Sequence, residues 1–211
     1  MTPPEPPLLV CVAGADASGK STQIDALTAA LTEAGIDTAG AGIWDALADP
    51  VIGARLPFAD RAAVLAYLSV LGPNARAHFL FHALHAALDL ALARNPRILL
   101  LNAYWYKYFA TEVAHGGDPA TLRAATTAFP PPALTFHLRV TPETALARRT
   151  DPSDYESGYG DAARFLEFQR RSHAELDRLG TELGWIELDA TTAPEVLTRT
   201  MLDAVTAAAR P

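Results

Sequence analysis

The 211 residues carry a net charge of −7 at neutral pH; half of them are hydrophobic and 19% charged. That balance suits a soluble globular chain of one domain, or at most two small ones, and argues against a general nucleic-acid surface. The single cysteine, Cys11, rules out an internal disulfide, which makes a reducing cytoplasm the expected setting. No apolar run approaches the roughly 18 residues that span a bilayer, so no membrane contact is expected.

Residues 1–7 are proline-rich without basic or apolar character, and read as a disordered polyproline-type tail rather than a leader. The rest, 8–211, reads as one domain. An apolar run at 8–12 suits a buried strand, and 21–31 places Ile24, Leu27 and Leu31 at helical spacing. A weak Gly/Ala-rich strand at 36–43 closes on Trp44-Asp45. Helices are expected at 60–71 and 75–94, separated by a break at Gly72-Pro73-Asn74. Ile98-Leu99-Leu100-Leu101 has the unbroken apolar character of a central parallel strand. Helices at 104–113 and 119–128 follow, then a strand at 134–140 and a helix at 142–149 opened by Pro142. A polar, turn-rich stretch at 151–160 precedes a long helix at 161–183, a strand at 185–188 and a last helix at 194–208. Strands alternating with helices imply a five-stranded parallel α/β sheet covered on both faces, in three layers.

Between the first strand and helix, Gly14-Ala15-Asp16-Ala17-Ser18-Gly19-Lys20-Ser21-Thr22 fits G-x-x-x-x-G-K-[ST], the phosphate-binding P-loop. Gly14 and Gly19 let backbone N–H groups converge on a polyphosphate at the positive end of the following helix. Lys20 is expected on the β- and γ-phosphates of ATP, and the Ser21 hydroxyl on Mg²⁺. Fifteen of the basic residues are arginine and only two, Lys20 and Lys107, lysine, so the second lysine is also a candidate.

Further candidates gather around the strand ends. Trp44-Asp45 ends the second strand, a usual crevice position, where Asp45 could accept a hydroxyl proton and Trp44 stack on a ring. Asp16 either stabilises its turn or faces the acceptor. His78, His82 and His85 share a helix face; the first two have zinc spacing, but no Cys or carboxylate completes a site, which leaves the acceptor pocket or plain packing. Tyr104-Trp105-Tyr106-Lys107-Tyr108 is either an acceptor floor with one positive charge or an aromatic helix start on the core. Arg148 and Arg149 could steady phosphoryl charge, or face solvent at a helix C-terminus.

Over nearly its full length the chain resembles the thymidylate kinase family of nucleoside monophosphate kinases. The 14–23 stretch resembles that family's G-x-D-G-x-G-K-[ST]-T-Q loop, and Leu80-Phe81-His82-Ala83-Leu84-His85 its L-F-x-A-x-R segment. Leu101-Asn102-Ala103-Tyr104 stands at its D-R-Y strand end, and Asp189-Ala190-Thr191 at its D-A-x loop near the adenine. Arg148-Arg149 with the polar stretch at 151–160 resembles the start of a lid, about 148–161. The resemblance implies a P-loop kinase fold with strand order 2-3-1-4-5, a homodimer, an Asp16 contact to a sugar hydroxyl, and acceptor binding by Trp44, Asp45, His82, His85, Asn102, Tyr104 and Lys107. Departures matter as well. Asn102-Ala103 replaces Asp-Arg, His85 replaces an arginine, and 43–47 lacks the arginine of R-E-P-G. The expected activity is therefore ATP-dependent phosphoryl transfer to a nucleotide- or nucleoside-like acceptor other than thymidylate, with Lys107 standing in for the lost arginine if the acceptor is anionic. Alternatives are a kinase of a hydroxylated non-nucleotide metabolite and a non-catalytic nucleotide sensor.

Overall fold

Strand β1 (Leu8–Gly14) sends alternate side chains into two separate apolar layers. Val10 and Val12 join Leu27, Leu31, Ile98 and Leu100 in one buried cluster, while Cys11 and Ala13 join Leu99 and Leu101 in the other. A strand buried on both faces needs apolar residues at every position, which is why its sequence runs without alternation. Cys11 is fully buried, and burial pushes its thiol pKa upward, away from reactivity.

A computed structural model describes residues 5–148, 155 and 162–209. Residues 1–4 of the expected tail lie outside them, as do Arg149 and the rest of the expected lid apart from Arg148 and Tyr155. The strands β1, β2 (Thr38–Ala41), β3 (Ile98–Asn102), β4 (Leu134–Arg139) and β5 (Ile186–Asp189) form one parallel sheet in the order β2-β3-β1-β4-β5. The helices are α1 (Lys20–Glu33), α2 (Asp45–Ala48), α3 (Arg61–Ser69), α4 (Pro73–Leu92), α5 (Tyr104–Ala114), α6 (Pro119–Ala125), α7 (Pro142–Ala147), α8 (Ala162–Leu183) and α9 (Pro194–Ala208). Helices α1 and α9 cover one face of the sheet; α4, α5 and α8 cover the other. Gln23 locks α1 to α9, donating to the Pro194 carbonyl and accepting from the Thr198 hydroxyl.

Several elements depart from the sequence expectation. Pro73 opens α4 instead of breaking the chain, because the N–H it lacks is unused in a first helical turn. Strand β2 shrinks to four residues, since Gly42 already donates its N–H to the Asp45 carboxylate. Helix α2 and a 3₁₀ turn at Gly53–Arg55 were not expected, being too short to show a period. Helix α6 gives way to a 3₁₀ turn at Thr126–Ala128. Trp185 precedes β5 and packs its ring on Tyr106 and His137.

A buried ion pair holds the second layer together. Arg76 Nε reaches both Glu112 oxygens at 2.8 and 2.9 Å, joining α4 to α5, and its guanidinium also donates to the Leu71 carbonyl just beyond α3. The Tyr155 hydroxyl donates to the same Glu112 at 2.8 Å. Among the described residues no helix is long and apolar enough to cross a membrane.

Candidate functional site

The 14–22 loop leaves the end of β1 and turns straight into α1. Gly14 sits at φ 147°, and a Cβ there would lie 2.7 Å from both the Leu138 carbonyl oxygen and Ser18 Oγ, so no larger residue fits. Gly19 enters the helix at φ 94°, and no side chain caps α1. The first-turn N–H groups therefore keep no side-chain acceptor from their own cap, which is the arrangement that binds an anion. Ala15 and Ser18 are buried beneath the loop, while Ser21 and Thr22 are exposed at the start of α1. Lys20 folds back over the loop, Nζ donating to the Ala15 carbonyl at 2.5 Å.

Beside the loop lies a cavity of about 490 Å³. Asp16, Ala17, Gly19, Lys20, Ser21 and Thr22 form one wall; Trp44, Asp45, Arg61, Asn102 and Lys107 stand around the rest. Most of the expected residues thus converge from four separate elements. Lys107 Nζ is 2.6 Å from Asp16 Oδ1, and Asn102 Nδ2 donates to Ser21 Oγ at 3.3 Å. Asp16 is accordingly more than a turn former, and Lys107 spends one of its protons on the loop instead of standing open to a substrate. Asp45 is exposed, and its Oδ2 accepts from Gly42 N–H at 2.8 Å.

Backbone strain collects at the same place. Ala17 (φ 58°), Ala103 (φ 62°) and Tyr104 (φ 52°) hold left-handed conformations without being glycine. Each costs roughly 1–2 kcal/mol, and such residues persist where the surrounding structure over-determines them, often at functional sites.

Other expected residues lie elsewhere. Tyr104 is buried in the core, with its hydroxyl donating to the Pro130 carbonyl at 3.0 Å; at the strained corner its ring turns onto Tyr106 and Phe129. His85 stacks on Phe129 at 3.8 Å, because α4 presents that face to the core layer and not to the cavity. His82 is exposed at the edge of a separate apolar cleft with Leu47, Phe58 and Phe79. Arg148 clasps two loops, its guanidinium donating to the carbonyls of Ala17 at 3.3 Å and Ala190 at 2.9 Å. The sequence reading missed Arg61. This exposed first residue of α3 holds its guanidinium 4.7 Å from the centre of the Trp44 ring. Its signal was a cation in the first turn of a helix, where the macrodipole disfavours one.

Among the described residues no group of three His, Cys, Asp or Glu side chains could hold a metal by itself. Mg²⁺ bound with a nucleotide needs less, since it keeps water and phosphate oxygens as ligands. The Ser21 hydroxyl and the Asn102 amide, already in contact, fit such a supporting role.

A larger cavity, of about 770 Å³, runs between α8 and the ends of β4 and β5, touching the loop at Ala15. Its two arginines are paired with carboxylates, Arg139 with Asp177 and Glu187 and Arg170 with Glu143. Comparison with protein-family models gives no match for this chain, and comparison with curated proteins gives none either.

Proposed function

We propose that the chain is an ATP-dependent phosphotransferase with a P-loop kinase fold, acting with Mg²⁺ on a small nucleotide- or nucleoside-like acceptor. The observation that carries this reading is the meeting of an uncapped helix start and Lys20 with a cavity whose far wall holds Arg61, Asn102 and Lys107. Phosphoryl transfer asks little covalent chemistry of a protein; it asks for positioning and for charge placed against the transferring group. Lys20 would exchange the Ala15 carbonyl for the β- and γ-phosphates, and the α1 N–H groups would cradle them. Arg148, clasping Ala17 and Ala190, keeps the phosphate loop and the loop after β5 in register for the donor. Ser21 and Asn102 would hold Mg²⁺, Asn102 by turning its amide oxygen to the ion; bound Mg²⁺ neutralises phosphate charge during transfer.

Neither His85, stacked on Phe129, nor Ala103 offers the forked donors of an arginine, so thymidylate should be a poor acceptor. A screen of nucleosides, nucleotides and sugar-like metabolites for acceptor-dependent ADP release tests the reading. Tight ATP binding without release for any acceptor would favour a nucleotide sensor instead, a reading supported by an amide, Asn102, where a strand-end carboxylate is expected.

A further inference from the structure

Trp44 stands between two different spaces. On one side is the polar cavity beside the 14–22 loop, on the other the apolar cleft edged by His82, and Ile43 and Trp44 line both. Arg61, which lines only the polar cavity, lies against the indole at 4.7 Å and braces it. The two spaces therefore share an edge that is held in place.

The walls of the cleft are fixed by contacts of their own. Helix α4 turns Phe79, Ala83 and Ala86 towards it, a different face from the one on which His85 stacks on Phe129. The cleft is thus separate from the base pocket that the family resemblance implies at His85. Phe79 belongs to a cluster of three rings with Phe58 and Tyr67, their centroids 5.4 to 5.7 Å apart. Opposite α4, the Asp49 carboxylate accepts from the N–H groups of Val51 and Ile52 at 2.9 and 2.8 Å, which fixes the turn that brings Ile52 to the wall. Gly53 lets that turn pack on α2, since a Cβ there would collide with the Leu47 carbonyl.

Size decides what such a cleft can take. Its volume is about 50 Å³. One water needs about 10–15 Å³ of such space, so there is room for about four water-sized groups, roughly a butyl chain. That is far too little for a helix or a peptide strand. Water itself is poorly held, because apart from His82 the lining side chains are apolar.

We infer that the cleft takes a compact alkyl group of about four carbons, carried by a phosphoryl acceptor whose polar part lies in the cavity beside the loop. This rests on the kinase reading above and narrows its substrate class to acceptors with an apolar arm. Trp44, braced by Arg61, is the edge over which the acceptor passes from one space to the other. Ala83 sets the length of the arm, since a larger side chain at that half-buried position would fill the cleft.

The test is a titration of straight-chain primary alcohols, ethanol to octanol, into the wild type, followed by ligand-observed NMR. Affinity should rise by about fourfold per methylene up to butanol and level off beyond it. Ala83→Leu, which fills the cleft with a good helix former, should remove that rise. Phe79→Leu, which enlarges the cleft, should move the limit to longer chains. Both variants should bind a non-hydrolysable ATP analogue as the wild type does. In the acceptor screen, adding a butyl-sized group to a compound that supports ADP release should lower KM by at least about tenfold in the wild type and not in Ala83→Leu. An affinity that ignores chain length, the same limit in Phe79→Leu and wild type, or an unchanged KM would overturn the inference. Alcohol affinity that falls as protein concentration rises would also overturn it, because a second copy of the chain would then be the occupant. If butanol binds but the ATP analogue does not, the kinase reading falls, and the acceptor role of the cleft with it.

Discussion

The Lys107 ammonium and the Asp16 carboxylate, 91 positions apart in the sequence, meet at 2.6 Å and tie α5 to the 14–22 loop. Both side chains are less than one-fifth exposed, so solvent screens the pair only weakly. Through it, a helix anchored in the core by Glu112 and Arg76 fixes the loop that is proposed to hold the donor.

A double-mutant cycle measures that tie. Lys107→Met and Asp16→Asn should each destabilise the fold, and the double variant should lose less than the sum. The coupling should be about 1.5–3 kcal/mol, the range for hydrogen bonds to charged groups, in urea unfolding. Strict additivity would mean the contact contributes nothing to the folded state.

Asp45→Asn should change turnover little, because an amide oxygen can still accept from Gly42 N–H and no proton transfer is assigned to the carboxylate. Steady-state kinetics on an active acceptor decide it. A loss on the order of 10²–10⁴-fold would restore Asp45 as a general base.

Arg148→Ala should weaken ATP binding by roughly tenfold, about 1.4 kcal/mol, through loss of both carbonyl contacts. Its effect on turnover at saturating ATP should be smaller. Unchanged ATP affinity would show that the clasp does not shape the donor site.

Stability should fall as the pH drops from about 6.5 towards 4. Burial, and then the nearby Arg76, push His115 down to about 4; burial likewise lowers His137 and His173. A histidine with a depressed folded pKa leaves the unfolded chain binding more protons in that window, so acid favours unfolding. Glu112, raised chiefly by burial, works in the opposite direction, gaining stability as it protonates. The comparison of His115→Gln with wild type isolates the histidine: the variant should lose less melting temperature between pH 6.5 and 4. Identical slopes would remove His115 from the explanation.

The sheet was legible because its central strands are apolar on both faces, and Gly14, Gly19 and Lys20 announced the loop by spacing alone. Packing decisions were less visible. Whether Tyr104 faces the cavity or the core depends on two successive left-handed residues, Ala103 and Tyr104, which nothing in their composition signals. His85 likewise shares a helix face with His82, and only the position of Phe129, far along the chain, draws it into a stack. Arg61 was hidden for the same reason, since its partner Trp44 reaches it across a segment of short irregular turns. Lys107 was singled out by its rarity, but its engagement with Asp16 required the fold.

The most direct measurement is acceptor-dependent ADP release by the wild type and Lys20→Ala side by side, with ATP binding followed in the same samples. The wild type should release ADP in the presence of at least one nucleotide- or nucleoside-like acceptor. Lys20→Ala, correctly folded, should lose turnover and bind ATP more weakly. Near-normal turnover by Lys20→Ala, or no release by the wild type with any acceptor, would contradict phosphoryl transfer at this loop.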